Sequence, residues 1–144
     1  MRIADILETK GRTVHSIRLW KTVADVVTEL TRTRVGALLV LDAHDTIAGI
    51  VSERDIVMAL GRHGAGTLSL EVTEVMTRQV RTCTSSMTVA EAMATMTAGR
   101  HRHLPVVDNG QVVGLVSIGD LVKHRVREME LETGVLRDTV IARS

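Results

Sequence analysis

Residues 103–120 read His103-Leu104-Pro105-Val106-Val107-Asp108-Asn109-Gly110-Gln111-Val112-Val113-Gly114-Leu115-Val116-Ser117-Ile118-Gly119-Asp120. Two apolar runs flank Asp108-Asn109-Gly110, a strong signal for a type I′ hairpin turn. The second run ends in Ser-x-x-Asp, a pattern able to cap the free amides that open a helix. The stretch therefore predicts a strand, a tight turn, a second strand and a helix. Its runs are too continuous for a sheet with one wet face and suggest strands covered by helices.

The same pattern occurs earlier in the chain. Ala37-Leu38-Leu39-Val40-Leu41-Asp42 stands 66 positions before His103–Asp108, and Ile47-Ala48-Gly49-Ile50-Val51-Ser52 stands 65 before Val112–Ser117. The lost residue falls in the turn, where deletions are tolerated. Upstream of each hairpin, Thr22-Val23-Ala24-Asp25 and Thr88-Val89-Ala90-Glu91 read as capping boxes, each opening an amphipathic helix. Val23, Val26, Val27 and Leu30 share one face of the first, and Val89, Ala92, Met93 and Met96 one face of the second. Each copy is thus a short strand, a helix, two hairpin strands and a second helix, starting near Glu53 and Ile118. The fold class is α+β. One copy is too small to bury its apolar surface well, so two should share a core.

The chain divides at sequence level into 1–66, 67–128 and a tail, 129–144. Gly61-Arg62-His63-Gly64-Ala65-Gly66-Thr67 reads as a flexible connection or helix stop, since it lacks the Lys-Ser/Thr ending of a phosphate-binding P-loop. The tail reads as helical to about Glu132 and broken at Gly134. Val135, Leu136, Val140 and Ile141 would then pack back or onto another subunit.

Bulk properties narrow the function. Hydrophobic residues are 44% of the 144, but Trp20 is the only aromatic among Phe, Tyr and Trp, so the core must be aliphatic and base-stacking on single-stranded nucleic acid is disfavoured. Eighteen basic against 17 acidic residues give a net charge of +1, without general attraction to nucleic acid or a membrane surface. The single cysteine, Cys83, excludes an internal disulfide and reads as a buried thiol. No apolar stretch suits a signal region or a membrane span, and the expected location is cytoplasmic. Met58, Met76, Met87, Met93 and Met96 read as core filler.

The motif Gly-hydrophobic-x-Ser-x-x-Asp leading into a helix occurs twice, as Gly49-Ile50-Val51-Ser52-Glu53-Arg54-Asp55 and as Gly114-Leu115-Val116-Ser117-Ile118-Gly119-Asp120. With Arg100–Asp108 before the second copy, it resembles a tandem pair of CBS domains (cystathionine-β-synthase domains, a Bateman module) over roughly residues 1–126. The resemblance implies two β-α-β-β-α repeats packed through their sheets into one pseudo-symmetric module, with clefts between the repeats and dimerisation into a disc. It implies AMP, ADP or ATP as ligand, less often NAD or S-adenosylmethionine, and a regulatory role. The module uses up the chain, so no attached domain is expected.

The same resemblance makes Asp120 the ribose ligand and Ser117 a contact to the ribose and phosphate. Both lie at a helix N-terminus, which favours anions, with Ile118 and Gly119 between them. Ser-x-x-Asp is also an ordinary capping arrangement that needs no ligand. Ser52 and Asp55 are the first-copy equivalents. Arg54 could reach a phosphate or pair with Glu53 or Asp55. In Arg100-His101-Arg102-His103, a strand would place the arginines on one side and the histidines on the other, and an Arg fork suits phosphate oxygens. His101-x-His103 has no third metal ligand at suitable spacing. Backbone near Pro105 would meet the adenine, with Val80, Leu104 and Val106 as apolar walls or simply core, and Thr82 or Thr84 nearby. Lys123, one turn beyond Asp120, could meet a phosphate or stand free in solvent. The first copy has Gly36-Ala37-Leu38-Leu39 where the second has Arg102-His103-Leu104-Pro105, so Asp120 is expected to anchor the tighter site.

No nucleophile, acid–base pair or metal cluster has diagnostic spacing, so an enzyme is not expected and no cofactor is required. The expected role is a sensing module that binds an adenine nucleotide and passes its state to a protein partner. The alternative is a constitutive interaction scaffold. DNA binding through the basic cluster lacks a helix-turn-helix pattern.

Overall fold

A computed structural model describes residues 1–143, with side chains through Glu132. The elements run α1 (Ile3–Lys10), β1 (Ser16–Arg18), α2 (Val23–Thr33), β2 (Ala37–Leu41), β3 (Ile47–Ser52), α3 (Glu53–His63), α4 (Val89–Gly99), β4 (His103–Asp108), β5 (Gln111–Ser117) and α5 (Ile118–Arg143), with two 3₁₀ turns, Gly64–Ser69 and Val72–Glu74, between α3 and α4. This is the expected α+β content.

The chain forms two compact units whose borders are not those of the repeats. One unit is Thr13–Val80, and the other joins Met1–Arg12 to the chain from Arg81 onward. The N-terminal segment, grouped by sequence with the first repeat, thus packs with the second, and residues 67–80 pack with the first.

In the Thr13–Val80 unit, β1 pairs parallel with β2, and β2 pairs antiparallel with β3. The α2 capping box forms as the sequence predicts: Thr22 Oγ1 accepts from the Asp25 amide, and Asp25 accepts from the Thr22 amide at 2.9 Å. Val23, Val26, Leu38, Val40, Val51 and Val72 are completely buried, each side chain contributing roughly 1.5–3 kcal/mol by leaving water. The glycine-rich run is no loose connection. Helix α3 continues through Gly61 and ends at Gly64 (φ 60°). Beyond it Thr67 is fully buried, its hydroxyl held by the Gly64 carbonyl at 2.7 Å.

In the other unit, β4 and β5 form the hairpin around Asn109 (φ 51°) and Gly110 (φ 77°), the two positive φ values a type I′ turn requires. The expected opening strand shrinks to one parallel bridge between Cys83 and Val106, because Ser85 turns aside to bond Asp108. On α4, Thr88 accepts from the Glu91 amide, but Glu91 takes the Thr88 hydroxyl rather than its amide, so the box is half-made. Burial pushes the Cys83 thiol up to about 11, with Asp108 adding to the effect, which leaves it a core residue. Met58, expected in the core, is 48% exposed, while Met76 and Met96 are buried.

Two hairpin glycines fix where the segment leading each repeat docks. A Cβ on Gly114 would lie 2.6 Å from Leu7 Cδ2 on α1. A Cβ on Gly49 would lie 2.7 Å from the Thr77 carbonyl oxygen and 2.8 Å from Met76 Sδ. Each hairpin therefore receives the leading segment of the other repeat over a bare glycine. Helix α5 runs through Gly134 to Arg143 without the expected break. The packing expected of Val135, Leu136, Val140 and Ile141 lies outside the described side chains.

Candidate functional site around Asp120

Strand β5 delivers Ser117 to the N-cap of α5. Ser117 N donates to Asp120 Oδ2 at 2.8 Å, and Asp120 N donates to Ser117 Oγ at 3.1 Å. The capping role of Ser-x-x-Asp is therefore realised. A further group, missed in the sequence, meets the same carboxylate: Lys10, at the end of α1, donates to Asp120 Oδ2 at 2.6 Å and to the Leu115 carbonyl at 2.8 Å. Asp120 Oδ1 has no hydrogen-bond partner among the described residues.

Burial alone would raise the Asp120 carboxyl, but the bonds from Lys10 and Ser117 outweigh it and hold it below the ordinary aspartate value. A depressed carboxyl stabilises the fold above its unfolded value and loses that contribution as pH falls through the folded one. The pair is partly open, with side chains 40% and 24% exposed, so it is worth about 0.2–1 kcal/mol. Lys10→Ala should cost that much in denaturant melts at pH 7 and less once Asp120 is protonated in acid, where only the bond to the Leu115 carbonyl remains. An equal cost at both pH values would assign the loss to packing instead.

Asp55 is held differently. Its Oδ2 accepts from Ser52 N (2.9 Å) and Ser52 Oγ (3.1 Å), and its Oδ1 accepts from Thr77 Oγ1 (3.1 Å). Both oxygens are engaged within the chain, and Asp55 forms no ion pair with a lysine among the described residues. Arg54 forms no ion pair with Glu53 or Asp55. It borders a hollow of about 340 Å³ with Asp55, Met58, Arg62 and Glu74.

The basic cluster is not a strand. Arg100 ends α4 in the left-handed conformation (φ 55°), and His101 N bonds back to the Met96 carbonyl at 2.9 Å. Only His103 lies in β4, so the alternation expected of the four does not occur. Arg102 is tied to the start of α5, its carbonyl accepting from Ile118 N at 2.9 Å. The arginines are exposed and the histidines half-buried. Leu104 and Val106 are wholly buried core, which removes them as walls of an open site, and Pro105 is buried with its carbonyl bonded to Cys83 N. Thr82 and Thr84 are exposed on either side of Cys83. Val80 closes the Thr13–Val80 unit and so does not belong to the unit of Asp120. Ile118 and Gly119 are exposed beside Asp120.

Lys123 lies where expected, lining a hollow of about 170 Å³ with Lys10, Asp120, His124 and Arg127. His124 and Arg127 were overlooked, although their spacing of four and seven from Asp120 puts them on its face of α5. His124 is 8% exposed, and its Nε2 is buried with no hydrogen-bond partner among the described residues. No three His, Cys, Asp or Glu side chains gather to hold a metal among the described residues.

The CBS-domain model matches residues 21–62 and 72–127, both copies of the repeat. The chain belongs to the CBS-domain family. A CBS-domain-containing protein of Agrobacterium tumefaciens is 38% identical, with a TM-score of 0.81 over 86% of this chain and 92% of that one. A CBS-domain protein of Burkholderia ambifaria, carrying a provisional signal-transduction assignment, is 40% identical, with a TM-score of 0.80 over 88% and 95%. The mitochondrial CBS-domain-containing protein CBSX3 of Arabidopsis thaliana is 36% identical over 88% of this chain. The chain spans 65% of that relative and 24% of CBSCBSPB2 from the same plant. Family membership accounts for the repeated Gly-hydrophobic-x-Ser-x-x-Asp motif and for the α+β architecture of the CBS pair.

Proposed function

We propose that this CBS-domain pair binds an adenine nucleotide at Asp120 and works as a regulatory module without catalysis of its own. The observation that carries the reading is Asp120 Oδ1. It belongs to an aspartate at the N-terminus of α5 whose other oxygen is anchored by Lys10 and Ser117, leaving one fixed acceptor for a ribose hydroxyl. The Ile118 and Asp120 amides are already bonded within the chain, so a phosphate beside that acceptor would be favoured by the partial positive charge of the helix end. AMP, ADP and ATP are the first candidates, and NAD carries the same adenosine. Asp55 is the weaker anchor, because both its oxygens already have partners. Arg100, Arg102 and Lys123 supply exposed positive charge to the same unit.

Signalling requires that nucleotide favour one of two shapes which a partner protein can distinguish. Self-association belongs to the reading: Ile118, Val122, Val126 and Met129 expose an apolar stripe on α5, and a CBS-CP12 protein of bloom-forming cyanobacteria, 25% identical, is hexameric. No helix among the described residues is long and apolar enough to cross a membrane, and the one, buried cysteine suits a reducing compartment such as the cytoplasm. Small-angle scattering of apo and nucleotide-saturated protein tests the switch. Distinct profiles support it, and superposing profiles would leave a constitutive scaffold.

A further inference from the structure

We propose that α5 pairs with α5 of a second copy of this chain as a parallel two-stranded coiled coil, an inference that rests on the self-association part of the reading above. Helix α5 is 26 residues long, whereas the CBS-domain match ends at residue 127. Its first turns are fastened to their own unit by Leu121, wholly buried, and His124. From Met129 to Glu132 every residue is exposed, the apolar Met129 and Leu131 among them. The helix nevertheless continues through Gly134, although glycine costs about 1 kcal/mol in a helix interior. A protruding helix of that length is marginal in water by itself, so a partner covering an apolar face accounts for it.

The sequence supplies that face. Val122, Val126, Met129, Thr133, Leu136 and Val140 stand four and three residues apart in alternation, the repeat of a left-handed coiled coil. At about 100° per residue this stripe lies roughly a third of a turn around α5 from Leu121 and His124. A copy can therefore cover it while α5 stays docked on its own unit. Val122, Val126 and Met129 are exposed and open to such a copy. In heptad terms the β-branched Val126, Thr133 and Val140 fall at the a positions, and Met129 and Leu136 at d. β-Branched residues at a with unbranched Cβ atoms at d favour two parallel strands. Gly134 falls at b, off the seam.

The charges beside the seam fit a second copy of the same helix. Arg125 stands at g and Glu130 at the e position of the next heptad, positions that face each other across a parallel pair. Two-fold symmetry makes that contact twice. The sequence repeats it with the signs exchanged at Glu132 and Arg137. Within its own chain Arg125 bonds Glu128 at 3.0 Å in an open pair, which contributes little and leaves the guanidinium free to reach the copy as well. The corresponding helix of the first repeat, α3, ends at His63 after 11 residues, so the long helix is particular to the second repeat. Parallel pairing sets the Asp120 ends of both helices on the same side of the dimer, with Val122 as the first layer two residues beyond.

Size-exclusion chromatography with light scattering on the full chain tests the pair. The parent is expected to run as a dimer. Val126→Glu/Met129→Glu, altered at two exposed positions, should run as a monomer at the same concentration with its circular dichroism unchanged. Arg125→Glu should weaken the dimer about tenfold, because both cross-strand pairs turn repulsive, and Arg125→Glu/Glu130→Arg should restore it. No such rescue is expected if Arg125 acts through Glu128 alone, and the charge exchange decides the matter if the glutamate double variant does not fold. Val122→Cys should form an interchain disulfide under mild oxidation, since d residues of parallel helices meet within disulfide reach. The native Cys83 is buried and does not compete. A monomeric parent overturns the proposal and leaves the stripe to a different protein. A dimer indifferent to Val126→Glu/Met129→Glu, or one in which Val122→Cys forms no disulfide, overturns it as well. The nucleotide reading is judged separately, by adenine nucleotides raising or not raising the unfolding midpoint, which a monomer can also show.

Discussion

Gly49→Ala lowers the stability of the folded chain by about 1–3 kcal/mol, and by more than Gly114→Ala does. The two glycines occupy equivalent hairpin positions, but their neighbours differ in how they can yield. At Gly114 the obstacle is the end of the Leu7 side chain, 2.6 Å and 3.0 Å away, which can turn to another rotamer. At Gly49 it is the Thr77 carbonyl oxygen at 2.7 Å. That carbonyl accepts from Ile50 N at 2.9 Å, while Thr77 N donates to Ile50 O at 2.8 Å. A methyl group there must push the backbone aside and weaken both bonds. Thermal or denaturant unfolding of the two variants checks the order. Equal costs, or a larger cost at Gly114, would mean that the 70–80 segment yields more readily than its hydrogen bonds imply.

Asp120→Ala should weaken adenine-nucleotide binding by about 10- to 100-fold, the size expected for losing a hydrogen bond to a charged acceptor. It should cost stability as well, about 1 kcal/mol, since the carboxylate caps α5 through Ser117 N and holds Lys10. Asp55→Ala should lose a comparable cap with a smaller change in affinity, because Ser52 and Thr77 already occupy both its oxygens. Calorimetry alongside unfolding separates the two effects. Unchanged affinity in folded Asp120→Ala protein would remove the ribose role and leave Ser-x-x-Asp a helix cap alone.

Features set by neighbours along the chain were legible in the sequence. The hairpin turn at Asn109-Gly110, the α2 capping box and the starts of α3 and α5 at Glu53 and Ile118 all follow from local chemistry or from the doubled pattern. What sequence reading missed depends on contacts between distant residues. Gly49 and Gly114 were visible as repeated glycines, but only the folded chain shows that each makes room for the leading segment of the other repeat. That exchange carries α1 away from its own repeat and puts Lys10 on Asp120, 110 residues along the chain. Gly61–Thr67 was legible as a helix stop, since α3 ends at Gly64, but not as a fixed turn, because the buried Thr67 hydroxyl that fastens it bonds the Gly64 carbonyl only in the folded chain. Arg100–His103 misled because α4 ends one residue later than a strand there would allow, with Arg100 as its left-handed cap. His124 and Arg127 were within reach, since helical spacing from Asp120 alone would have found them.

Thermal unfolding of nucleotide-stripped protein with AMP, ADP, ATP and NAD tests the central claim most directly. A ligand at a hundred times its dissociation constant adds about 2.7 kcal/mol to the folded state, enough to move the transition by several degrees. The account predicts that at least one adenine nucleotide raises the midpoint in a concentration-dependent way and that Asp120→Ala removes most of the rise. No shift with any of them, at concentrations up to several millimolar, would contradict nucleotide binding and leave the chain a CBS-domain scaffold.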